Sequence, residues 1–464
     1  MERIRFLTGR LARRSLENVL TGMAPAPFAW DVVDIGIQVA GLMTADMIGR
    51  RVERPEGIDR ILVPGRCRGD LSALSERYGI PVERGPDDLK DLPAYFRRSD
   101  RGVDLSRYDI ELFAEIVDAP RLTVDAILAR ASVHRENGAD VIDLGCLPET
   151  PFPHLEESIH ALKGNGFAVS VDSVDSGELV RGGRAGADYL LSLTIDTLWV
   201  ADEVASTPIL IPREPTDEAS LYDAIDAMAA RGRRFLADSI LDPLPFGLTA
   251  ALARYLRLRA RYPETPILIG IGNVTELTEA DTSGMNALML GIATELRAGA
   301  VLTTEVSAHA RRAVREADVA RRIMFAAREA QALPAGFSPD LMTVHDKHPF
   351  PDSAHEIAET ARAIRDPSYR VQVSADGLHV YNRDGHHVAR DPFALYPHLA
   401  LAGDAGHAFY LGVELARAEI AWQLGKRYVQ DRPLDWGCAV AREAQDLTAW
   451  HAPGPTLAKP PADA

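Results

Sequence analysis

The sequence of 464 residues predicts an α/β protein built around a (β/α)8 TIM barrel. Two observations support this fold class. Between residues 105 and 334, apolar runs typical of strands alternate with amphipathic helical runs in about eight units. The apolar runs are continuous enough for strands that are buried on both faces, as in a parallel barrel. A doubly wound open sheet is the alternative arrangement of the same elements.

Residues 1–104 are predicted to form a small N-terminal α/β domain. The segments RIRFLTG, WDVVDIG and RILVPG are typical of strands, and RRSLENVLTGM is typical of a helix. The segment RGPDDLKDLPAYFRRSDRGVDLSRYD is charged and contains Pro and Gly, which indicates a surface connection. We therefore place the domain boundary near Asp104.

Residues 335–452 are predicted to form a C-terminal α+β domain. YRVQVSADGLHVYNRDGHHVA indicates one or two β-hairpins, and AFYLGVELARAEIAWQLGKRYV indicates one long amphipathic helix. Residues 453–464 are rich in Pro and Ala, and we expect them to be a disordered tail.

Composition narrows the class of protein. The hydrophobic fraction of 46% and the charged fraction of 25% are typical of a soluble enzyme. The net charge of -16 repels polyphosphate backbones, so we expect no nucleic-acid partner. The opening MERIRFLTGRLARRS lacks the apolar core of a signal peptide, and no apolar stretch is long enough to predict a membrane span. Three cysteines far apart in sequence form no disulfide framework, so we expect a cytoplasmic protein.

Polar side chains follow most of the predicted barrel strands, where the chemistry of such barrels is located. A ring of carboxylates and amides suits a flat heterocycle that carries several N–H donors, such as the edge of a 2-amino-4-oxopterin. A divalent metal would also satisfy clustered carboxylates, but no set of histidines accompanies them, and we predict no metal site. The strand-end residues are Asp118, Asp143, Asp172, Ser192, Asp238, Asn273 and Glu305.

These segments resemble the pterin-binding barrels, which are dihydropteroate synthase and the pterin domain of corrinoid-dependent methyltransferases. NGADVIDLGC resembles GADIIDVGG of the synthases, and VSVDS resembles their SVDT strand. LADSILDPLPFG resembles LLDPGFGF or the methyltransferases' DPLVLP, and GIGNVTEL resembles their GLSNVS. The resemblance implies that Asp172, Asp238 and Asn273 bind the pterin ring and that Asp143 supports the site. We assign Asp118 and Ser192 to the same pterin-binding set.

The sequence departs from the synthases where they hold a diphosphate leaving group. Their Ser-Arg-Lys after the seventh strand is replaced by Val-Thr-Glu at residues 274–276, and their Arg-x-His by Thr-Thr-Glu at residues 303–305. The Asn usual after the fourth strand is Leu191 or Ser192 here. If diphosphate leaves, positive charge must come from elsewhere, and Mg²⁺ would accompany such a substrate.

The chain as a whole resembles dihydropteroate-synthase-related proteins of methanogens and methylotrophs, which are associated with tetrahydromethanopterin. The segments that carry this likeness are VPGRCRGD, RGPDDLKDLP, GIGNVTELTEADTSGMNALMLGIATEL and GDAGHAFYLGVELARAEIAWQLGKRY. The resemblance implies a transferase that condenses an activated 6-methyl-dihydropterin with ribofuranosylaminobenzene phosphate, and a homodimer. A pterin-dependent methyltransferase and a non-catalytic pterin-binding or assembly protein are the alternatives.

Two further residues are candidates for catalysis. Lys347, in HDKHPFP, could bind a phosphate at the barrel mouth, although a solvated interdomain loop is the other interpretation. Glu305 could act as a general base, and a structural, hydrogen-bonded Glu is the alternative. Together with Asp143 they complete the predicted catalytic set.

Overall fold

The computed structural model of the chain describes residues 1–26, 28–99, 104–401 and 403–441. They form two compact units. One unit contains the described residues of 1–99 and 344–435, and the other contains residues 104–343 and 436–440. The predicted disordered tail at residues 453–464 lies outside the described residues.

The N-terminal part of the first unit is a parallel sheet with the strand order β2-β1-β3-β4. Ile4 and Phe6 face one core cluster while Leu7 faces another, because side chains alternate along a strand. The strands are β1 (Arg3–Thr8), β2 (Ala29–Asp34), β3 (Arg60–Val63) and β4 (Val82–Arg84). The helices are α1 (Arg10–Gly22), α2 (Ala45–Arg51), α3 (Ser72–Tyr78) and α4 (Leu92–Ser99).

Helix α4 corrects one expectation, because it lies in the segment for which the sequence indicates a surface connection. Leu92 and Phe96 are buried in a core cluster. The ring of Phe96 lies 4.3 Å from that of Phe28, centroid to centroid. Leu92 and Phe96 are four positions apart and so share a helix face, but the charged residues around them obscure this pattern in the sequence.

The second unit is a closed barrel of eight parallel strands, which confirms the predicted (β/α)8 fold. The strand order is β10-β9-β8-β7-β6-β5-β12-β11. A parallel bridge between Ala237 and Ile267 closes the ring, and the Ala237 N–H donates to the Pro266 carbonyl at 2.9 Å. The strands are β5 (Glu111–Ile116), β6 (Val141–Gly145), β7 (Ala168–Asp172), β8 (Tyr189–Leu193), β9 (Thr207–Leu210), β10 (Leu236–Ala237), β11 (Leu268–Gly270) and β12 (Ala300–Thr304).

Helices surround the barrel, and several begin at a side-chain cap. The hydroxyl of Thr123 accepts from the N–H of Ala126, and the carboxylate of Asp217 accepts from that of Ser220. The outward strand residues, such as Leu112 and Ala114, pack with the helices in one large core. The helices are α5 (Val124–Glu136), α6 (Leu155–Gly164), α7 (Ser176–Arg184), α8 (Val200–Glu203), α9 (Glu218–Ala230), α10 (Leu248–Arg261), α11 (Gly272–Thr275), α12 (Thr282–Glu295) and α13 (Ala313–Glu329).

A second, smaller core fills the inside of the barrel. It is made of strand residues that alternate with the outward-facing ones, and it forms an apolar layer across the barrel. Its buried members are Phe113, Val141, Leu191, Ile209, Leu236, Leu268 and Ala300.

The C-terminal part of the first unit is an antiparallel three-stranded sheet with helices, and it confirms the predicted hairpins and long helix. The strands are β13 (Arg370–Ser374), β14 (Gly377–Asn382) and β15 (Gly385–Ala389). Helix α16 begins after Asp404, which caps it, and ends at Gly425, whose left-handed φ of 61° favours glycine. The helices are α14 (Ala354–Ala363), α15 (Pro392–Leu395) and α16 (Ala405–Leu424).

The two ends of the chain belong to the same unit, although the sequence places them in separate domains. Lys90 donates to Glu356 at 2.9 Å, and Arg427 pairs with Asp88 and Asp91 at 2.6 Å each. The partners are hundreds of residues apart in sequence, so no local pattern indicates them. No helix in the described part of the chain is both long and apolar enough to cross a membrane.

Candidate functional site

The carboxyl ends of the barrel strands carry a layer of acidic side chains directly above the apolar layer. Phe113 pairs in register with Val141, and two residues further along the same strands Glu115 pairs with Asp143. Because side chains alternate, Glu115 and Asp143 point to the same side of the sheet as the apolar pair, which is the inside of the barrel.

Three of these carboxylates lie close together. One oxygen each from Glu115, Asp143 and Asp172 lies within 4.8 Å of the others. Burial, with the negative charges of Asp172 and Glu276, raises the pKa of Glu115 to about 7. Burial, with the charges of Asp172 and Glu115, raises the pKa of Asp143 well above its ordinary value. The site therefore concentrates more negative charge than its own surroundings neutralise.

Asp143 is the most enclosed member of this group. Its side chain is 0% exposed, and neither carboxylate oxygen has a hydrogen-bond partner among the described residues. The nearby Ser170 hydroxyl opposes the rise in the pKa of Asp143, although no hydrogen bond of ordinary geometry joins the two side chains. A buried carboxylate without hydrogen-bond donors is costly to leave ionised. The described residues supply no such donor to Asp143.

Asp172 and Asp238 form a second pair at the mouth. Burial and the charge of Asp238 raise the pKa of Asp172 to about 6. Burial also raises the pKa of Asp238 to about 6, although hydrogen bonds from Tyr255 and Ile240 oppose this shift. The N–H of Ile240 donates to Oδ1 of Asp238 at 2.7 Å, and the Tyr255 hydroxyl donates to the same oxygen. Two donors thus hold one oxygen of Asp238 in place.

Asn273 and Ser192 lie near other strand ends. Asn273 is in the short helix α11, and its Nδ2 donates to the Leu241 carbonyl at 2.8 Å, which leaves Oδ1 available to accept. Ser192 is partly buried in β8, at the irregularity in register between Leu191 and Leu193.

Three other predicted residues are not members of the carboxylate cluster. Asp118 pairs with Arg130 at 2.9 Å near the surface. Glu305 accepts from the N–H of Val314 at 3.0 Å, and its other oxygen lies 3.7 Å from Nδ1 of His134. Lys347 is exposed and belongs to the first unit. Their catalytic or binding roles stay predictions.

Sequence reasoning missed Glu115 and gave no role to Glu276. The run LFAEIVDAP contains two acidic residues. The end of the run indicates Asp118, whereas the alternation from Phe113 indicates Glu115. Glu276 accepts from the N–H groups of Val306 and Ser307 at 2.8 and 2.9 Å. Burial raises its pKa, but hydrogen bonds outweigh this effect and the net pKa is lowered. Glu276 therefore keeps a negative charge at the mouth.

A cleft of about 590 Å³ opens beside Asp172. It is formed mainly by the loops after β6 and β7, at residues 146–153 and 172–175. Arg181 lines the same cleft and is paired with Glu156 at 2.7 Å. The cleft provides space for a small molecule next to one carboxylate of the cluster.

The fold and the strand-end residues together define a (β/α)8 barrel with an acidic mouth. Residues 2–87, which precede the barrel, match a family of unknown function, DUF6513. The chain is 24% identical to an uncharacterized protein of Methanocaldococcus jannaschii, over 93% of this chain and 99% of that protein.

Solved structures similar to part of the chain are dihydropteroate synthases. That of Yersinia pestis is 18% identical, with a TM-score of 0.37, over 49% of this chain and 96% of its own. That of Vibrio fischeri is 17% identical, with a TM-score of 0.38, over 48% and 94%. That of Anaplasma phagocytophilum, with bound 6-hydroxymethylpterin-monophosphate, is 16% identical, with a TM-score of 0.37, over 47% and 98%.

Proposed function

We propose that this chain binds a pterin at the mouth of its barrel and acts as a transferase related to dihydropteroate synthase. The second substrate is an aminobenzene-type amine such as ribofuranosylaminobenzene phosphate, and the pathway is tetrahydromethanopterin biosynthesis. The observation that carries the proposal is the pair Asp172 and Asp238, two largely enclosed carboxylates at the strand ends, where the charge of Asp238 contributes to raising the pKa of Asp172. The pathway and the amine come from the sequence resemblance.

The hydrogen-bonding capacity of these side chains suits the amino-amide edge of a pterin. That edge offers several N–H donors, and a carboxylate accepts through both oxygens. Oδ1 of Asp238 is held by Ile240 and Tyr255, while Oδ2 makes no hydrogen bond with a described residue. Asn273 likewise has its amide nitrogen engaged and its oxygen available. In each of these side chains, one atom is hydrogen-bonded to the protein and another is available to accept from the pterin.

Rate enhancement in this scheme comes mainly from orientation. The amine nitrogen forms a bond to the exocyclic methylene carbon of the pterin, the bond from that carbon to the diphosphate oxygen breaks, and the amine proton passes to solvent. A ring held at one edge keeps the methylene facing the incoming amine, which replaces an encounter of free molecules by a pre-arranged one.

A second candidate function, methyl transfer from a methylated pterin, is favoured by Glu276. This carboxylate lies where the resembled synthases carry basic groups, and the backbone of residues 306 and 307 holds it there. Methyl transfer expels no diphosphate and needs no cation at that position. A corrinoid protein that accepts a methyl group in the presence of this chain would establish the second function.

The test is a coupling assay on the full-length protein. The protein is incubated with dihydropterin-6-ylmethyl diphosphate, ribofuranosylaminobenzene phosphate and MgCl2, and products are identified by mass spectrometry. We expect the coupled product with one diphosphate for each product molecule. Binding of the dihydropterin without any product would contradict the condensation and leave methyl transfer or a non-catalytic binding role.

A binding measurement tests the ring assignment separately. Replacing one carboxylate oxygen by an amide removes an acceptor, so Asp238→Asn should weaken 7,8-dihydropterin binding by about tenfold or more, as for loss of one charged hydrogen bond. Asp223→Asn, on the exposed surface of α9, is the matched control and should bind as the parent does. Equal affinity of Asp238→Asn and the parent in calorimetry would show that Asp238 is not a ring ligand.

A further inference from the structure

We propose that Glu115, Asp143 and Asp172 form a binding site for a divalent cation of the Mg²⁺ or Mn²⁺ type inside the barrel mouth. The three residues come from neighbouring strands, β5, β6 and β7. Each contributes one oxygen to a group in which these atoms lie within 4.8 Å of one another. Oxygens around Mg²⁺ at about 2.1 Å lie roughly 3 to 4 Å apart, so small side-chain movements would bring all three into contact with one ion.

Asp143 provides an independent reason to expect a ligand. Its side chain is fully buried, and both of its oxygens lack hydrogen-bond partners among the described residues. One of these oxygens belongs to the group described above, so the orphaned carboxylate is directed at the cluster. Buried carboxylates in folded proteins are hydrogen-bonded, paired with a cation or bound to a metal.

Gly145 gives Glu115 the room that this arrangement needs. Gly145 pairs in register with Asp172. A Cβ atom placed on it would lie 2.6 Å from Oε1 of Glu115 and 3.0 Å from Cα of Val117. The absence of a side chain at this position therefore lets Glu115 approach the other two carboxylates.

The chemistry of the group selects the class of ion. All three ligands are carboxylate oxygens, which hard cations such as Mg²⁺ and Mn²⁺ prefer, whereas imidazole and thiolate ligands favour Zn²⁺. Asp172 also lines the cleft, so water or substrate oxygens can complete the coordination from that side. One oxygen of Asp172 can face the ion while the other faces a ligand.

The cation site is inferred from these contacts alone, but its role in the reaction rests on the proposed function. A dication here would offset two of the three negative charges and would supply positive charge for a diphosphate leaving group. It would share Asp172 with the ring-binding pair and leave Asp238 to the ring.

The experiment measures metal binding without any pterin. Full-length protein is stripped with EDTA, dialysed and titrated with Mn²⁺, while the electron paramagnetic resonance signal of free Mn²⁺ is followed. We expect one Mn²⁺ bound per chain, with a dissociation constant at or below about 100 µM, and displacement by Mg²⁺. Asp143→Asn and Glu115→Gln should each weaken binding at least tenfold.

Glu111→Gln is the matched control, because Glu111 is on the same strand and the same face as Glu115 but at its other end. Thermal unfolding provides a second measurement: millimolar MgCl2 should raise the unfolding temperature of the parent and of the control, and leave that of Asp143→Asn unchanged. No Mn²⁺ uptake by the parent, or equal uptake by parent and Asp143→Asn, would overturn the proposal. Dihydropterin binding measured in EDTA tests the proposed function independently, so failure of either proposal leaves the other standing.

Discussion

Two layers inside the same barrel differ in what their residues contribute. The lower layer, represented by Phe113 and Val141, is apolar and buried, and its burial stabilises the fold. The upper layer, two residues further along the same strands, contains Glu115 and the fully buried Asp143, whose oxygens have no hydrogen-bond partner among the described residues. The lower layer is filled by its own side chains, whereas the upper one would bind the ligands proposed above. A difference of two positions along a strand thus separates the packed core from the proposed site.

The largest effect is expected in the lower layer. Phe113 is fully buried, and its ring lies 4.9 Å from that of Tyr189. Phe113→Ala should lower the free energy of unfolding of the barrel by about 3 to 5 kcal/mol, because a large cavity replaces the ring. Denaturant unfolding measures this difference. Asp143→Asn is the comparison in the upper layer, and a loss as large as that of Phe113→Ala would show that both layers serve stability.

The next effect concerns Glu305, a largely buried carboxylate that directly follows β12. Burial raises its pKa from 4.5 to about 7, so the folded state favours the protonated form. The unfolded chain ionises first as the pH rises, and stability present below pH 4.5 is lost as the pH approaches 7. Glu305→Gln removes this loss of stability, which reaches about 3 kcal/mol once the pH is above the pKa of the folded state.

Denaturant unfolding of the Glu305→Gln variant and the parent between pH 4 and pH 8 measures this difference. The variant should gain stability relative to the parent across the window. Glu295→Gln, at the exposed end of α12, is the control and should follow the parent. A constant difference between Glu305→Gln and the parent would mean that Glu305 ionises normally in the folded protein.

A smaller effect is expected at Tyr255, which donates to Asp238 in the upper layer. This hydrogen bond lowers the pKa of Asp238, so Tyr255→Phe should raise that pKa above about 6. Dihydropterin binding should weaken by about tenfold at neutral pH, and it should recover at higher pH, where Asp238 ionises again. Calorimetry across pH checks both parts. Uniform weakening at all pH values would indicate that Tyr255 only packs.

The smallest effect is expected at an exposed carboxylate with several donors. Glu356 has its pKa lowered to about 2, first by the backbone N–H of Ser353 and second by Lys90. Lys90→Met should raise this pKa part of the way towards 4.5 and reduce stability by less than about 1 kcal/mol at neutral pH. The stabilisation is present above pH 4.5 and is lost as the pH falls towards 2.

Carbon-detected NMR titration of the Glu356 carboxyl group measures its pKa. Lys163→Met removes the pair with Asp188 in the barrel and should leave that pKa unchanged. An unchanged value in Lys90→Met would show that Ser353 alone sets it.

The barrel was predictable because its strands are local apolar runs and its helices local amphipathic ones. The site was only partly predictable, because the sequence does not state where a strand ends. Asp172 ends β7 and Asp238 directly follows β10, so the ends of their apolar runs indicate them. Asp143 lies two residues before the end of β6, and the VIDLG run with its single acidic residue indicates it. The LFAEIVDAP run has two acidic residues, Glu115 inside β5 and Asp118 beyond it, and the end of the run indicates Asp118, which pairs with a surface arginine.

Ion pairs between residues far apart in sequence leave no local sequence pattern. The pairing of Lys90 with Glu356 and of Arg427 with Asp91 joins the two ends of the chain in one unit. Charged residues in sequence do not reveal their partners, because any surface offers many of them. Lys347 was placed at the mouth from its position after the barrel, and this placement stays a prediction.

The closure of the barrel has a consequence for how its mouth moves. Strand β10 is two residues long, and Ala237 alone bridges to the next strand around the ring at Ile267 among the described residues. So short a junction is the place where backbone amides exchange with solvent most readily. Asp238 directly follows it, so an opening there would carry this carboxylate away from Asp172. A molecule bound by both Asp172 and Asp238 would hold the junction closed. It would slow deuterium uptake at the amide of Ala237 and leave exchange in distant strands unchanged.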